Sequence, residues 1–244
     1  MGESMNFVSY ALYGSQPKYL IGAIANARFW KDSSEAWQSI FYCDDSVPLE
    51  ILRKLEANSA IVEMAQADWH SNGMFWRFRA VYQLNFDTLI VRDVDSRISM
   101  RELSAVDDWI KSNKSFHIMR DHPYHRTPIL GGMWGVKGEF LKYSSAWNHQ
   151  IEFGNSLGED QNFLRRYVYP QIKNDALVHD PFFRFENFKQ DFRTPREMGS
   201  FVGESFDENN NPDQYLRQVL EETERSSFKK FWVSRPELRK YFTK

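Results

Sequence analysis

Phe86-Asp87-Thr88-Leu89-Ile90-Val91-Arg92-Asp93-Val94-Asp95-Ser96-Arg97 contains an apolar run that ends abruptly in charge. A short continuous apolar run followed by polar residues is the mark of a strand buried on both faces, the kind used by parallel sheets. Two carboxylates, Asp93 and Asp95, leave its end, and in α/β folds that edge of the sheet is where ligands bind. Residues two apart on a regular strand point the same way, so the pair is expected to address one hard cation through oxygen. A cation so held bridges two phosphates and neutralises a departing nucleotide. The tripeptide by itself also fits two solvated loop aspartates; the strand in front of it is what makes it informative.

Working outward, the chain alternates strand-like and helix-like segments, the pattern of a parallel-rich α/β sheet flanked by helices. Upstream, Met5 to Leu12 predicts a first strand, Tyr13-Gly14-Ser15 a turn, and Pro17 to Trp30 a helix with proline in its first turn. Trp37 to Cys43 predicts a second strand ending at Asp44-Asp45. Ser46 reads as the N-cap of a helix running through Leu55, and Ala60 to Met64 as a third strand. A helix over about Gly73 to Leu84 leads into the charged-edge strand. Downstream, Ser99 caps the next helix and Glu102 completes a capping box. Ser115 to Met119 and Ile129 to Val136 predict two more strands, the second bent at Gly131-Gly132. Beyond Tyr143 the chain reads as helical and then, from about His179 to Pro212, as irregular. The expected organisation is a catalytic domain over 1–212 and a helical tail over 213–244.

With 244 residues, 42% of them apolar, the chain can fill one large core. Aromatics reach 16%, which suits stacking on bases and sugars as well as packing. The formal net charge of −2 argues against a general nucleic-acid binder, which needs a basic surface. Cys43 is the only cysteine, so no internal disulfide forms, and the first 30 residues hold no basic stretch leading into a long apolar run. A cytoplasmic protein is expected, with membrane contact at most peripheral, since no window approaches the roughly 20 apolar residues of a span.

The layout resembles the GT-A glycosyltransferases, whose D-x-D motif follows a nucleotide-binding α/β half. That resemblance covers roughly residues 5 to 185 and implies a mixed, mostly parallel sheet flanked by helices, a metal-dependent enzyme using Mn²⁺ or Mg²⁺, a nucleoside diphosphate sugar as donor, and a glycan or glycolipid hydroxyl as acceptor. It implies that Tyr10, Ala11, Leu12 and Tyr13 receive the base and ribose, that Asp44 contacts the base, and that Arg77 turns toward the donor beside Asp93 and Val94. The Leu130-Gly131-Gly132-Met133-Trp134-Gly135 segment is similar to the one that brings backbone close to the transferred sugar, a task suited to Gly131 and Gly132. Gly158-Glu159-Asp160-Gln161 opens a helix, where the dipole favours a carboxylate. The resemblance makes Asp160 and Glu159 the catalytic candidates, with Asp160 acting as a base toward the acceptor or hydrogen-bonding the donor sugar. His179, after the apolar run Ala176-Leu177-Val178, stands where several such families supply a third metal ligand. Met119 to Arg126, rich in polar groups, offers His122 and His125, with Trp134, to the acceptor. This run also resembles uncharacterised bacterial glycosyltransferase-like proteins, some encoded in polysaccharide gene clusters. Glycogenin-like retaining enzymes share the order D-x-D, D-Q, H, but their H-x-x-G-x-x-K-P-W signature is missing, so retaining and inverting chemistry both stay open.

Three rival readings are distinguishable. A haloacid-dehalogenase-type phosphatase also places D-x-D after an apolar strand, but near the start of its core domain and with a Ser/Thr motif that Ser96 does not supply. A nucleotidyltransferase would open on a glycine-rich basic loop, which Tyr13-Gly14-Ser15-Gln16-Pro17-Lys18 does not provide. A non-catalytic sugar-nucleotide-binding protein would not need Asp93, Asp95 and Asp160 together. In the last segment, Phe228 to Lys244, six basic residues stand against Glu237 alone and interleave with aromatics. That pattern suits an anionic membrane surface or a packing face on the domain.

Overall fold

The computed structural model describes residues 5–33, 36–66, 70–138, 144–197 and 199–234, the last eight of these as backbone only. The apolar run becomes β4 of a seven-stranded sheet whose strands are β1 (Asn6–Leu12), β2 (Trp37–Cys43), β3 (Ile61–Met64), β4 (Thr88–Arg92), β5 (Phe116–Met119), β6 (Met133–Lys137) and β7 (Ala176–His179). Their order is β3-β2-β1-β4-β6-β5-β7. Every strand runs parallel except β6, which is antiparallel to β4 and to β5. One register row crosses the sheet through Ile61, Ile40, Ser9, Val91, Trp134, Ile118 and Val178. The alternating pattern predicts a parallel-rich sheet, and the mixed, mostly parallel α/β sheet seen here is the one that the family resemblance implies.

Strand alternation divides the core into two layers. Along β1, Val8, Tyr10 and Leu12 face one layer while Ala11 faces the other. The first layer lies under α1 (Pro17–Ser33), α2 (Leu49–Ala57) and α4 (Met100–Lys111), with Trp30, Phe41 and Trp109 in it. The opposite layer gathers Phe75, Phe78, Trp134, Trp147 and Phe163. Its cover is a 3-10 helix (Gly73–Phe78) running on to α3 (Ala80–Gln83), a second 3-10 helix (Ser145–Glu152), and α5 (Glu159–Phe163), which passes through a π-helical turn (Leu164–Val168) into α6 (Tyr169–Ile172). The helix expected over 73–84 is thus built in two pieces. The final helix, α7 (Gln214–Ser234), docks through buried Leu220, the Arg217–Glu204 ion pair and a Leu216 carbonyl that meets His122 Nε2 at 2.9 Å. The side chains of 228–244, on which the expected membrane contact falls, lie outside the described residues. No helix among the described residues is long and apolar enough to cross a membrane.

Two local expectations change. Ser46 does not cap α2, which starts at Leu49 with Pro48 before it; the Ser46 hydroxyl instead bonds Asp44 and accepts from the Gly14 amide at 2.6 Å. The capping box on α4 is half made. Ser99 Oγ accepts from the Glu102 amide at 3.2 Å, but the Glu102 carboxylate turns inward to the Arg92 guanidinium. A buried arginine is the stronger claimant for that carboxylate.

Candidate active site

The parallel strands end on one edge of the sheet, and there a cavity of about 420 Å³ opens. Asp93, Val94 and Asp95 line it together with Ala11, Leu12 and Tyr13 from the end of β1. The aspartates do not sit on the strand, as their spacing suggests, but on a turn after Arg92. The Ser96 amide and hydroxyl close this turn on the Asp93 carbonyl at 3.3 and 2.8 Å. The turn is clamped from both sides. On α1, Asn26 Nδ2 donates to the Val94 and Ser96 carbonyls, both at 3.1 Å, and a Cβ at Gly22 would overlap the Val94 carbonyl oxygen. From the C-terminal loop, the Phe206 amide donates to the Asp95 carbonyl at 2.9 Å.

At the floor of the cavity, buried Arg77 bridges two carboxylates: one end of its guanidinium meets Asp93, the other donates to Asp160 Oδ2 at 2.6 Å. The 3-10 helix positions it, and its carbonyl is fixed by Ser9 Oγ at 2.7 Å. Asp160, in the first turn of α5, is 1% exposed. Burial pushes its pKa up and the Asp93 charge adds to this, while Arg77 opposes both. Burial, reinforced by Asp93, likewise raises Asp95, against the pull of Lys18 at 3.3 Å. Two neighbouring carboxylates at a cavity wall, Asp93 and Asp95, are a donor set that a hard cation satisfies, with phosphate and water oxygens for the remaining positions. Among the described residues there is no group of three or more His, Cys, Asp or Glu that could hold a metal.

Gly131 and Gly132 are required by close approach, though to the protein rather than to open space. A Cβ on Gly131 would overlap the Arg77 guanidinium and the Asp160 carboxylate, and one on Gly132 the Asp93 carboxylate. Asp44 lines an adjoining cavity of about 360 Å³ with Asn72, Trp76 and Asn155; Tyr13, Met74 and Leu157 line both.

Other expected site residues are not brought here. Tyr10 is fully buried, stacked on Phe41 with its hydroxyl accepting from Trp30 Nε1 at 2.9 Å, because it faces the helix-covered layer. Trp134 is fully buried between β4 and β5, its Nε1 donating to the Gly131 carbonyl at 3.2 Å, so no acceptor reaches it. His122 packs on Phe201, and His125 Nδ1 accepts from the Asp121 amide at 3.0 Å; both serve the loop that receives α7, away from the cavity lining. Glu159 stays off the lining, one residue short of Asp160. His179 is not a third metal ligand. It ends β7, three strands from β4, which at about 4.8 Å per strand puts it roughly 14 Å away. Both its ring nitrogens are taken, by His117 Nε2 at 2.8 Å and Gln190 Nε2 at 2.7 Å.

Sequence reading missed Lys18, Gln16, Tyr19, Met74, Leu157 and the Gly22–Asn26 clamp. Only the clamp left a signal. A glycine and an asparagine four apart fall on the α1 face that buries Leu20, Ala23, Ala27 and Trp30, where a polar side chain needs a partner.

The sequence matches no protein-family profile and no curated protein. Among solved structures, the chain is similar to glucosyl-3-phosphoglycerate synthase from Mycobacterium tuberculosis, at 8% identity over 72% of this chain and 69% of that one, TM-score 0.47. It is also similar to mannosyltransferase PcManGT from Pyrobaculum calidifontis, solved with GDP-Man and Mn²⁺, at 10% identity over 72% and 55%, TM-score 0.48. A third is the galactosyltransferase LgtC, at 10% identity over 72% and 73%, TM-score 0.46.

Proposed function

We propose that the chain is a metal-dependent glycosyltransferase that moves a sugar from a nucleoside diphosphate to a hydroxyl of a glycan or glycolipid. The observation that carries this reading is the lining of one cavity, at the ligand-binding edge of the sheet, by Asp93, Asp95, Arg77 and Asp160. A bound Mn²⁺ or Mg²⁺ would supply charge neutralisation as the diphosphate departs. Asp93 and Asp95 would hold it. The Ala11 to Tyr13 segment would receive the nucleoside, with Asp44 and Trp76 in the adjoining cavity within the same cleft. Asp160, oriented by Arg77, would take the acceptor proton or accept a hydrogen bond from the donor sugar.

Calorimetry with UDP and GDP, with and without Mn²⁺, tests the reading. The expected result is metal-dependent binding that Asp93→Asn and Asp95→Asn each weaken tenfold or more, about 1.4 kcal/mol. Nucleotide binding indifferent to the metal and to both substitutions overturns it. A place at the inner face of a bacterial membrane, in surface polysaccharide synthesis, extends the proposal; its support is the basic–aromatic interleaving of 228–244. Equal liposome co-sedimentation of the full chain and of residues 1–227 would remove the membrane role.

A further inference from the structure

Two cationic side chains meet the carboxylates of the Asp93–Asp95 turn, whose carbonyl groups Arg97 holds at Val94 and Ser96, and the two differ in freedom. The Arg77 side chain is 8% exposed and tied at both ends, to Asp93 and Asp160. Lys18 is 36% exposed and reaches Asp95 Oδ2, at 3.3 Å, on a flexible four-carbon stem. Its ammonium also lies 4.4 Å from the centre of the Tyr19 ring, at the cavity wall.

On helix grounds Lys18 is badly placed. It stands in the first turn of the 17-residue α1, where the macrodipole disfavours a cation, and that turn holds no acidic residue to offset it. Its partner is instead Asp95, 77 residues away in sequence. A divalent cation that binds Asp95 must therefore contend with an ammonium already on the same carboxylate. Arg77 cannot yield, because moving it would strand the buried Asp160. Lys18 can.

We infer that Lys18 is an exchangeable counter-ion: it occupies Asp95 in the empty cleft, a divalent cation displaces it, and the freed ammonium then meets the donor diphosphate. The inference rests on the proposed glycosyl-transfer function. It makes metal and diphosphate binding interdependent. Metal alone must displace Lys18 without recompense, whereas diphosphate offers the ammonium a new partner, and by linkage each ligand tightens the other by the same factor.

The test is Mn²⁺ affinity, by calorimetry and by the electron paramagnetic resonance signal of free Mn²⁺, with and without UDP or GDP. It compares wild type, Lys18→Met and Lys18→Arg. Lys18→Met should bind Mn²⁺ alone about tenfold more tightly, and the enhancement by nucleotide should shrink by a similar factor. Lys18→Arg, which keeps the charge, should stay near wild type. A Lys18→Met protein that binds Mn²⁺ no more tightly than wild type overturns the counter-ion role while leaving the functional reading intact. Tighter Mn²⁺ binding with an undiminished nucleotide enhancement overturns the transfer of Lys18 to the diphosphate. A wild type that binds neither Mn²⁺ nor a nucleoside diphosphate overturns inference and function together.

Discussion

Burial raises the proton affinity of the Asp160 carboxylate, and the Arg77 guanidinium beside it is what favours the charged form. Charge at that position matters because a base or hydrogen-bond acceptor must face the cavity without being hydrated away. Asp160→Asn retains an oxygen for Arg77, so the floor of the site should keep its shape. Donor binding by calorimetry should then stay largely intact while turnover falls by roughly 10²-fold or more. Full turnover in the variant would reduce Asp160 to an anchor for Arg77. Gly131 and Gly132 act at the same scale, since their missing side chains leave room for Asp160, Arg77 and Asp93 to lie against the backbone.

At the scale of elements, β4 and α4 are joined by a contact that neither contains alone. Arg92 at the end of β4 and Glu102 in the first turn of α4 form an ion pair with both side chains 2% exposed. This holds the helix against the strand that delivers the two aspartates. Ser99→Ala removes only the N-cap and should cost about 1 kcal/mol. Glu102→Ala strands a buried guanidinium and should cost about 3–5 kcal/mol. Were Glu102 merely the second arm of a capping box, the two losses would be similar. Denaturant midpoints of the two variants decide it.

Across the whole molecule, the buried His117 and His179 and the half-buried His125 link stability to pH. Burial is the leading cause in each case: it lowers His179 to about 4, His125 to about 3, and His117 well below its ordinary value. These groups stay neutral in the fold but take up a proton on unfolding below about pH 6.5, so their contribution is complete above that pH and is lost as the pH falls toward the folded values. At about 1.4 kcal/mol per pH unit, His179 alone should remove roughly 3 kcal/mol between pH 6.5 and 4. Asp95 and Asp160, raised by burial, run the other way, stabilising below the ordinary carboxylate range and losing that contribution as the pH rises. Guanidinium unfolding at several pH values checks the histidine part, because His179→Gln should flatten the dependence between pH 4 and 6.5. An unchanged slope would mean that His179 is protonated in the fold.

The sequence by itself determined what depends on neighbours in the chain. The apolar run before Asp93 had to be a buried strand, alternation and breakers delimited β1, β2, β3 and β5 to within a residue, and an acidic pair leaving such a strand had to stand at the sheet edge. Asp160 was legible for the same reason, as a carboxylate in the first turn of a helix. Only the tertiary structure decided which distant segments meet. Tyr10, Trp134 and His179 have residue types suited to a site, yet the strand order and the pleat send the first two into the core and the third to the far edge. The same order brings Lys18 to Asp95 and Arg77 between Asp93 and Asp160. Periodicity records which face of an element is buried, but not what covers it, because that depends on packing between elements that local sequence does not encode.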